Sequence, residues 1–304
     1  MTWRKLRASR TSERDPLAVA LRRKAETGAA GAACGTVVAA GDGWSVRDVV
    51  CTAGPRDLPF EERQPLPSAS LVVAGTFVYR GPRGRSLLSP GAILLVNAER
   101  AFECSHRHGE GDRCLSFEFE LAVFERLAAA AGARSPELRC DRLPAVRPLA
   151  PIAARARAAL DRRDAGASDA FEEIALEVGG AVLELAAEPA RNASAPSGRD
   201  LGRIARVLRD LESRIAERHR LADLAAAAGL SRYHFLRTFK AVTGVTPHQW
   251  LLRARLRAAA ERLVATGAPV TEIALDVGFD DLSNFIRSFR AEFGASPSRY
   301  RAAA

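Results

Sequence analysis

Four side chains within eleven residues, Cys104, His106, His108 and Cys114, are of the types that bind metal ions or carry redox chemistry, and Glu103 and Asp112 stand beside them. On a strand over 102–108 alternate residues share a face, so Cys104, His106 and His108 would project together. Cys114 would return on the next strand after a turn over 109–112. Two thiolates and two imidazoles converging in this way suit tetrahedral Zn²⁺ or another thiophilic metal. The spacing is not that of a zinc finger, and Glu110 is too close to the histidines to complete an oxygenase-type ligand set. The same residues admit two other readings. One is a plain hairpin with half-buried cysteines and exposed histidines. The other is a redox or electrophile sensor in which histidinium, Arg107 or Arg113 lowers the thiol pKa of Cys104 and Cys114.

The elements that must position this cluster read as strands. Between Gly35 and Glu120 short apolar runs at 36–40, 44–51, 70–79, 92–96 and 114–119 alternate with Gly, Pro and Asp, the texture of an antiparallel sandwich or barrel. The Ser89-Pro90-Gly91 step is a turn before the run Ile93 to Val96. From Leu121 the pattern is helical, first at Phe124, Leu127 and Ala128, then over 152–160. Over 170–187 Ile174, Val178, Val182 and Leu185 recur at spacings of three and four, a stripe that either packs on the sheet or forms a homodimer seam. Residues 1–33 read as a flexible Arg-rich and Ala/Gly-rich arm with a weak helical pattern over 17–24. Pro189, Asn192, Ser194, Pro196, Ser197 and Gly198 make 189–199 a linker. The expected domains are therefore 34–188 and 200–304, an α+β chain with an all-α C-terminal part.

Residues 221–301 contain one unit twice. The first runs Asp223, Leu224, Ala225, Gly229, Leu230, Phe235, Arg237, Phe239, Lys240, Gly244, Thr246, Pro247 and Trp250. The second runs Glu272, Ile273, Ala274, Gly278, Phe279, Phe285, Arg287, Phe289, Arg290, Gly294, Ser296, Pro297 and Tyr300. The offset is 49 residues up to the glycine and 50 after it, which places one inserted residue near Asp280. Each unit describes two helices and a tight turn. Gly229 and Gly278 supply left-handed backbone, Ser231 and Asp281 cap the second helix, and the Phe pairs four apart form its buried stripe. Gly244 and Gly294 end it, and the following Pro opens a new helix. Residues 247–266, with Leu252, Leu256, Ala259 and Leu263 on one face, make a single long helix between the units.

This double helix-turn-helix pattern resembles the DNA-binding domain of AraC/XylS-type transcriptional regulators, above all at Ile273, Ala274, Gly278, Phe279, Phe285, Phe289, Arg290, Gly294, Pro297, Tyr300 and Arg301. The resemblance covers about a third of the chain. It implies recognition helices over 232–242 and 282–293 that enter the DNA major groove. On the first, Tyr233, Leu236 and Arg237 would face base edges, while Arg232 and Lys240 suit phosphates. On the second, Leu282, Ser283, Asn284 and Arg287 would face base edges and Arg290 phosphate. Asn reads adenine and Arg reads guanine bidentately, each worth roughly 1 to 3 kcal/mol of discrimination. Leu236, Leu282 and Ile286 offer methyl contacts at best. The resemblance also implies a cupin-like β-barrel sensor domain before the DNA-binding part, promoter DNA and RNA polymerase as partners, a small-molecule or metal effector, and activation more often than repression.

Charge agrees with a polyanionic partner. The net +9 is concentrated in residues 199–304, where 18 basic residues face 11 acidic ones, against 27 and 25 in the first 198. Lys occurs only at Lys5, Lys24 and Lys240, so the abundance of Arg runs through the whole chain and is not in itself a sign of base reading. A hydrophobic content of 47% with 27% charge excludes a disordered chain, and no apolar run approaches the roughly 18 residues of a membrane span. With no secretory signal, a cytoplasmic protein with five reduced cysteines is expected. The rival from another class is a cupin-like metal-dependent enzyme with a fused DNA-binding tail. That chemistry needs three His and a carboxylate, and the cluster supplies only His106 and His108. A DNA-repair protein with an alkyl-accepting cysteine would need a Cys-rich cluster that is missing. Without a Gly-rich phosphate loop or a nucleophile elbow, no turnover is expected.

Overall fold

The computed structural model of the chain describes residues 15–162, 167–186 and 196–303. The first fourteen residues of the expected arm and most of the expected linker lie outside them.

Period-2 alternation builds the first domain into layers. One antiparallel sheet has the order β1 (Ala33–Gly41), β2 (Trp44–Cys51), β9 (Asp112–Phe119), β4 (Ser68–Gly75), β7 (Ile93–Val96) and β10 (Arg142–Leu143). A second has the order β3 (Phe60–Arg63), β8 (Ala101–Ser105), β5 (Phe77–Gly81) and β6 (Gly84–Leu88). On β9, Leu115, Phe117 and Phe119 enter one core with Val46, Leu71, Ile93 and Leu95. Cys114 turns the other way, with Val72, Leu94 and Val96, towards Phe77, Tyr79, Leu88, Phe102 and Cys104 of the smaller sheet. The larger sheet is covered on both faces, which is why its strands read as continuous apolar runs. Helices α2 (Leu121–Ala130), α3 (Ala150–Arg162) and α4 (Ala167–Ala186) cover its outer face through Val123, Phe124, Ala156, Phe171, Ile174, Val178 and Val182. Inside this apolar frame Arg113 makes a bidentate pair with Asp48, at 2.8 and 2.7 Å, so that neither buried charge is left bare.

Three expectations are corrected here, and one open alternative is settled. Of the sandwich and barrel alternatives, the barrel is not closed: the strands form two antiparallel sheets, of six and four strands. The run over 70–79 divides into β4 and β5 because Gly75 takes φ 77°, and a Cβ there would stand 2.3 Å from the carbonyl oxygen of Gly111. The chain can change sheets at that point only with glycine. The arm contains a helix, α1 (Pro16–Thr27), with Asp15 accepting from the Leu17 amide at 3.3 Å and Gly28 closing it at φ 67°. Leu17 is buried and Lys24 bonds Asp57 at 2.5 Å, so these residues are docked. Finally, the apolar stripe of α4 is buried against this chain's own sheet, which leaves it unavailable as a dimer seam.

The second domain is α5 (Gly198–Ser213), α6 (Leu221–Ala227), α7 (Arg232–Thr243), α8 (Pro247–Ala265), α9 (Val270–Asp276), α10 (Leu282–Phe293) and α11 (Pro297–Ala303). It has two cores strung along α8. Trp250 and Ala254 join Leu201, Ile204, Leu208, Leu224, Phe235 and Phe239. Leu256, Ala259 and Leu263 join Ile273, Phe279, Phe285, Phe289 and Phe293. The two domains touch closely. Leu87 of β6 belongs to the first of these helical cores. Arg142 of β10 donates to the carbonyls of Leu87 and Val242, Arg253 donates to that of Ala145, and Glu292 receives Arg147 at 3.6 Å and Arg253 at 3.5 Å. Among the described residues no helix is long and apolar enough to cross a membrane.

The two turn glycines differ in a testable way. At Gly229, φ is 63° and a Cβ would meet nothing within 4 Å, so Gly229→Ala should cost only the left-handed strain of about 1 to 2 kcal/mol. At Gly278, φ is 95° and a Cβ would stand 2.6 Å from the Ala216 carbonyl oxygen, a backbone atom. Gly278→Ala should lose a further amount of about 1 to 3 kcal/mol. Urea unfolding of the two variants, followed by helical circular dichroism, should show the larger midpoint shift for Gly278→Ala.

Candidate nucleic-acid interface

The second helix of each repeated unit is fixed in roll by aromatic burial. In α7, Phe235 and Phe239 are fully buried with ring centroids 5.5 Å apart. In α10, Phe285 and Phe289 are fully buried at 5.6 Å. The Ser231 hydroxyl accepts from the His234 amide at 3.4 Å, and the Asp281 carboxylate from the Ser283 amide at 2.8 Å, which starts each helix at the same place relative to its phenylalanines. Gly244 and Gly294 end them at φ 83° and 77°.

Once that stripe is buried, the opposite face is determined. Residues 231–240 and 281–290 show the same sequence of buried, half-buried and exposed positions. Arg232, Tyr233, Leu236, Arg237 and Lys240 are all exposed on the first helix, as are Leu282, Ser283, Asn284, Arg287 and Arg290 on the second. Tyr233 is 72% exposed, a large aromatic surface that no core claims. An open groove along α10 is lined by Ser283, Ile286, Arg287, Arg290 and Ala291. His234 shares the exposed face of α7, with its ring 6.2 Å from that of Tyr233. It was not singled out from the sequence, although its place between Tyr233 and Phe235 on a capped helix could have shown it.

The basic residues of this domain divide into two groups. Arg255 donates to the carbonyls of Ile215 and Glu217 at 2.9 and 2.7 Å, and Arg301 to those of Leu263 and Ala268 at 3.2 and 2.6 Å. Arg262 bonds Asp276 at 2.7 Å and Arg214 bonds Asp210. Arg255, Arg301 and Arg262 tie separate elements together, while Arg214 pairs within the last turn of α5. By contrast, among the described residues no salt bridge engages Arg232, Arg237, Lys240, Arg287 or Arg290. Their charge is left for a partner.

The Cys/His cluster of the first domain is arranged differently from the expectation. Strand β8 stops at Ser105, and the His106 carbonyl accepts from the Gly109 amide at 3.2 Å, so His106 and His108 sit in a turn where strand alternation does not apply. The predicted set of Cys104, His106, His108 and Cys114 is thereby broken up. His106 is buried and bonds Asp112 at 2.5 Å, while His108 lies against Gly202 of α5. Burial opposes the charged form of His106, yet the Asp112 carboxylate and the Cys51 thiol together carry its pKa up to about 9. Burial also pushes the Cys104 and Cys114 thiols up, helped by Glu62 and Asp112 for Cys104 and by Asp112 for Cys114. Arg113 is committed to Asp48. Both shifts run opposite to the low-pKa thiolates that the redox-sensor reading needs.

A helix-turn-helix domain family model matches residues 224–303. The transcriptional activator NphR of a Rhodococcus species is 40% identical over 111 residues, 35% of this chain and 33% of that protein. The activator AarP of Providencia stuartii is 34% identical over 98 residues, 32% of this chain and 73% of AarP. Among solved structures, the DNA-binding domain of the transcriptional factor AdpA in complex with a target DNA is 35% identical, covering 33% of this chain and 90% of that one with a TM-score of 0.32. The chain thus spans about a third of NphR and most of the shorter AarP, with both matches confined to a segment of this size. On the repeat, the matched segment and the identity to AarP, this chain belongs to the AraC/XylS family of transcriptional regulators.

Proposed function

We propose that residues 200–304 bind promoter DNA through two helix-turn-helix units, α6–α7 and α9–α10, and that the cupin-like first domain governs this binding in a transcriptional activator. The observation that carries the reading is the identical exposure pattern of α7 and α10, with Arg232, Arg237 and Lys240 on the first and Arg287 and Arg290 on the second in no salt bridge among the described residues. Two helices rolled alike about buried phenylalanines present equivalent faces. In this reading Arg237 and Arg287 read guanine edges, Asn284 reads adenine, and Arg232, Lys240 and Arg290 contact phosphates. The connecting helix α8 has 19 residues, a span of roughly 28 Å. That length suits successive major grooves about 10 bp apart on one DNA face, which makes the recognised site long and asymmetric.

The first domain is placed to act on this reading. An apolar cavity of about 280 Å³ lies between it and α8, lined by Leu71, Val72, Ala154, Arg157, Arg257 and Glu261 among others. A small-molecule effector seated there would touch both domains at once. Activation is supported by the similarity to the activators NphR and AarP, and a surface for RNA polymerase is part of the same proposal. The enzyme reading loses its two-histidine metal set, because His106 faces Asp112 while His108 faces α5.

Selection of genomic fragments by the purified full chain should yield one long asymmetric motif at near-physiological salt. Arg237→Ala and Arg287→Ala should each erase preference at a separate position, weakening binding by about 1 to 3 kcal/mol. Selection without any sequence preference would overturn the reading. Lys240→Ala and Arg290→Ala should instead weaken binding evenly across sequences and each reduce the log–log salt slope by about one, as followed by fluorescence anisotropy at several salt concentrations.

A further inference from the structure

The interior of the first domain gathers more metal-binding side chains than its packing requires. In the β2–β9 pairing Cys51 stands opposite Asp112, so the register brings a thiol beside a carboxylate. The turn after β8 brings His106 to both. One ligand atom from each of Cys51, His106 and Asp112 lies within 4.8 Å of the others, and all three residues are buried. Around them stand Cys114, whose Sγ donates to Asp112 Oδ2 at 3.3 Å, and Cys104 of the facing sheet with Glu62 beside it. The Nδ1 atom of His106 is buried without a hydrogen-bond partner.

We propose that Cys51, His106 and Asp112 form a binding site for a thiophilic divalent cation such as Zn²⁺. The donor set is one soft sulfur, one borderline nitrogen and one hard oxygen, the mixture such an ion accepts. Ligands held at roughly 2.0 to 2.3 Å from one ion stand roughly 3 to 4 Å apart, so small rotations bring these three into place. The His106–Asp112 contact opens as both turn to the ion. Charge favours this occupant. The neighbouring Arg113 makes a bidentate pair with Asp48, and the buried Asp112 carboxylate, paired with His106, is stabilised by added positive charge. When M²⁺ enters, Cys51 gives up its thiol proton and the His106–Asp112 pair its shared proton to solvent. Two residues on, His108 packs on Gly202 of α5, so the same turn that holds the ion rests on the DNA-binding domain.

The test is a Co²⁺ titration of the reduced full chain, read by absorbance, with Zn²⁺ as competitor. One Co²⁺ per chain should bind with thiolate-to-cobalt charge transfer and tetrahedral ligand-field bands, and Zn²⁺ should erase both. Cys51→Ser should remove the charge-transfer band and weaken binding at least roughly tenfold, whereas Cys34→Ser, at the exposed thiol, should change nothing. Absence of the band in the wild-type chain would overturn the proposal whether or not any variant folds. So would a band that survives in Cys51→Ser and disappears in Cys34→Ser. None of these readouts involves DNA, so the outcome stands apart from the reading of the second domain.

Discussion

Burial of two phenylalanines four residues apart on each recognition helix is the constraint from which the rest follows. Phe235 with Phe239, and Phe285 with Phe289, have no exposed surface, and each such ring is worth several kcal/mol of burial, on the order of 3 to 5 when truncated to alanine. A helix anchored at i and i+4 cannot roll. Its remaining face, with Arg237 or Arg287 at its centre, is aimed by packing rather than by any contact of its own. The caps at Ser231 and Asp281 and the left-handed glycines at both ends of each helix set the same axial position. Two copies of one solution therefore give two equivalent faces on one rigid helix, α8, whose halves each serve one core.

Much of this was legible because the information is local. Caps, turn glycines and the Phe spacing lie within a dozen residues of one another, and the internal repeat displays them twice. The strands of the larger sheet were legible for a related reason, since burial on both faces leaves unbroken apolar runs. The smaller sheet was legible only at β5, within the run over 70–79, and at β8, within the strand read over 102–108. Strand β3 reads Phe-Glu-Glu-Arg and β6 begins Gly-Arg-Ser, too short and polar to stand out from loops. The division of 70–79 turned on Gly75, whose need for positive φ arises from Gly111, far along the chain. The Cys/His cluster failed in the same way. Its spacing was read as one strand, but the strand ends at Ser105, and the residue that joins His106 and Asp112 is Cys51, brought there by strand register and not by sequence proximity. The α1 helix was visible only as a weak pattern, because its stability comes from Lys24 on Asp57 and from Leu17 against the sheet.

The contacts between the domains join α7 and α10 to the first domain. Arg142 is half-buried, and its guanidinium holds both a carbonyl of its own domain and that of Val242 at the end of the first recognition helix. Desolvation lowers its pKa to about 10. Glu292 at the end of the second recognition helix receives arginines from both domains. Both helices are thus held at their C-terminal ends by the first domain, while their outward faces stay open. A change in the first domain that shifts residues 142–147 would move both recognition helices by the same lever.

The central claim is that α7 and α10 meet the DNA together, in successive major grooves on one side of the duplex. Hydroxyl-radical footprinting of the full chain on a selected fragment tests it most directly. The account predicts two protected patches on one face of the DNA, about one helical turn apart, with Arg237→Ala weakening one patch and Arg287→Ala the other. A single protected patch, or two patches that both fade equally with either substitution, would contradict it.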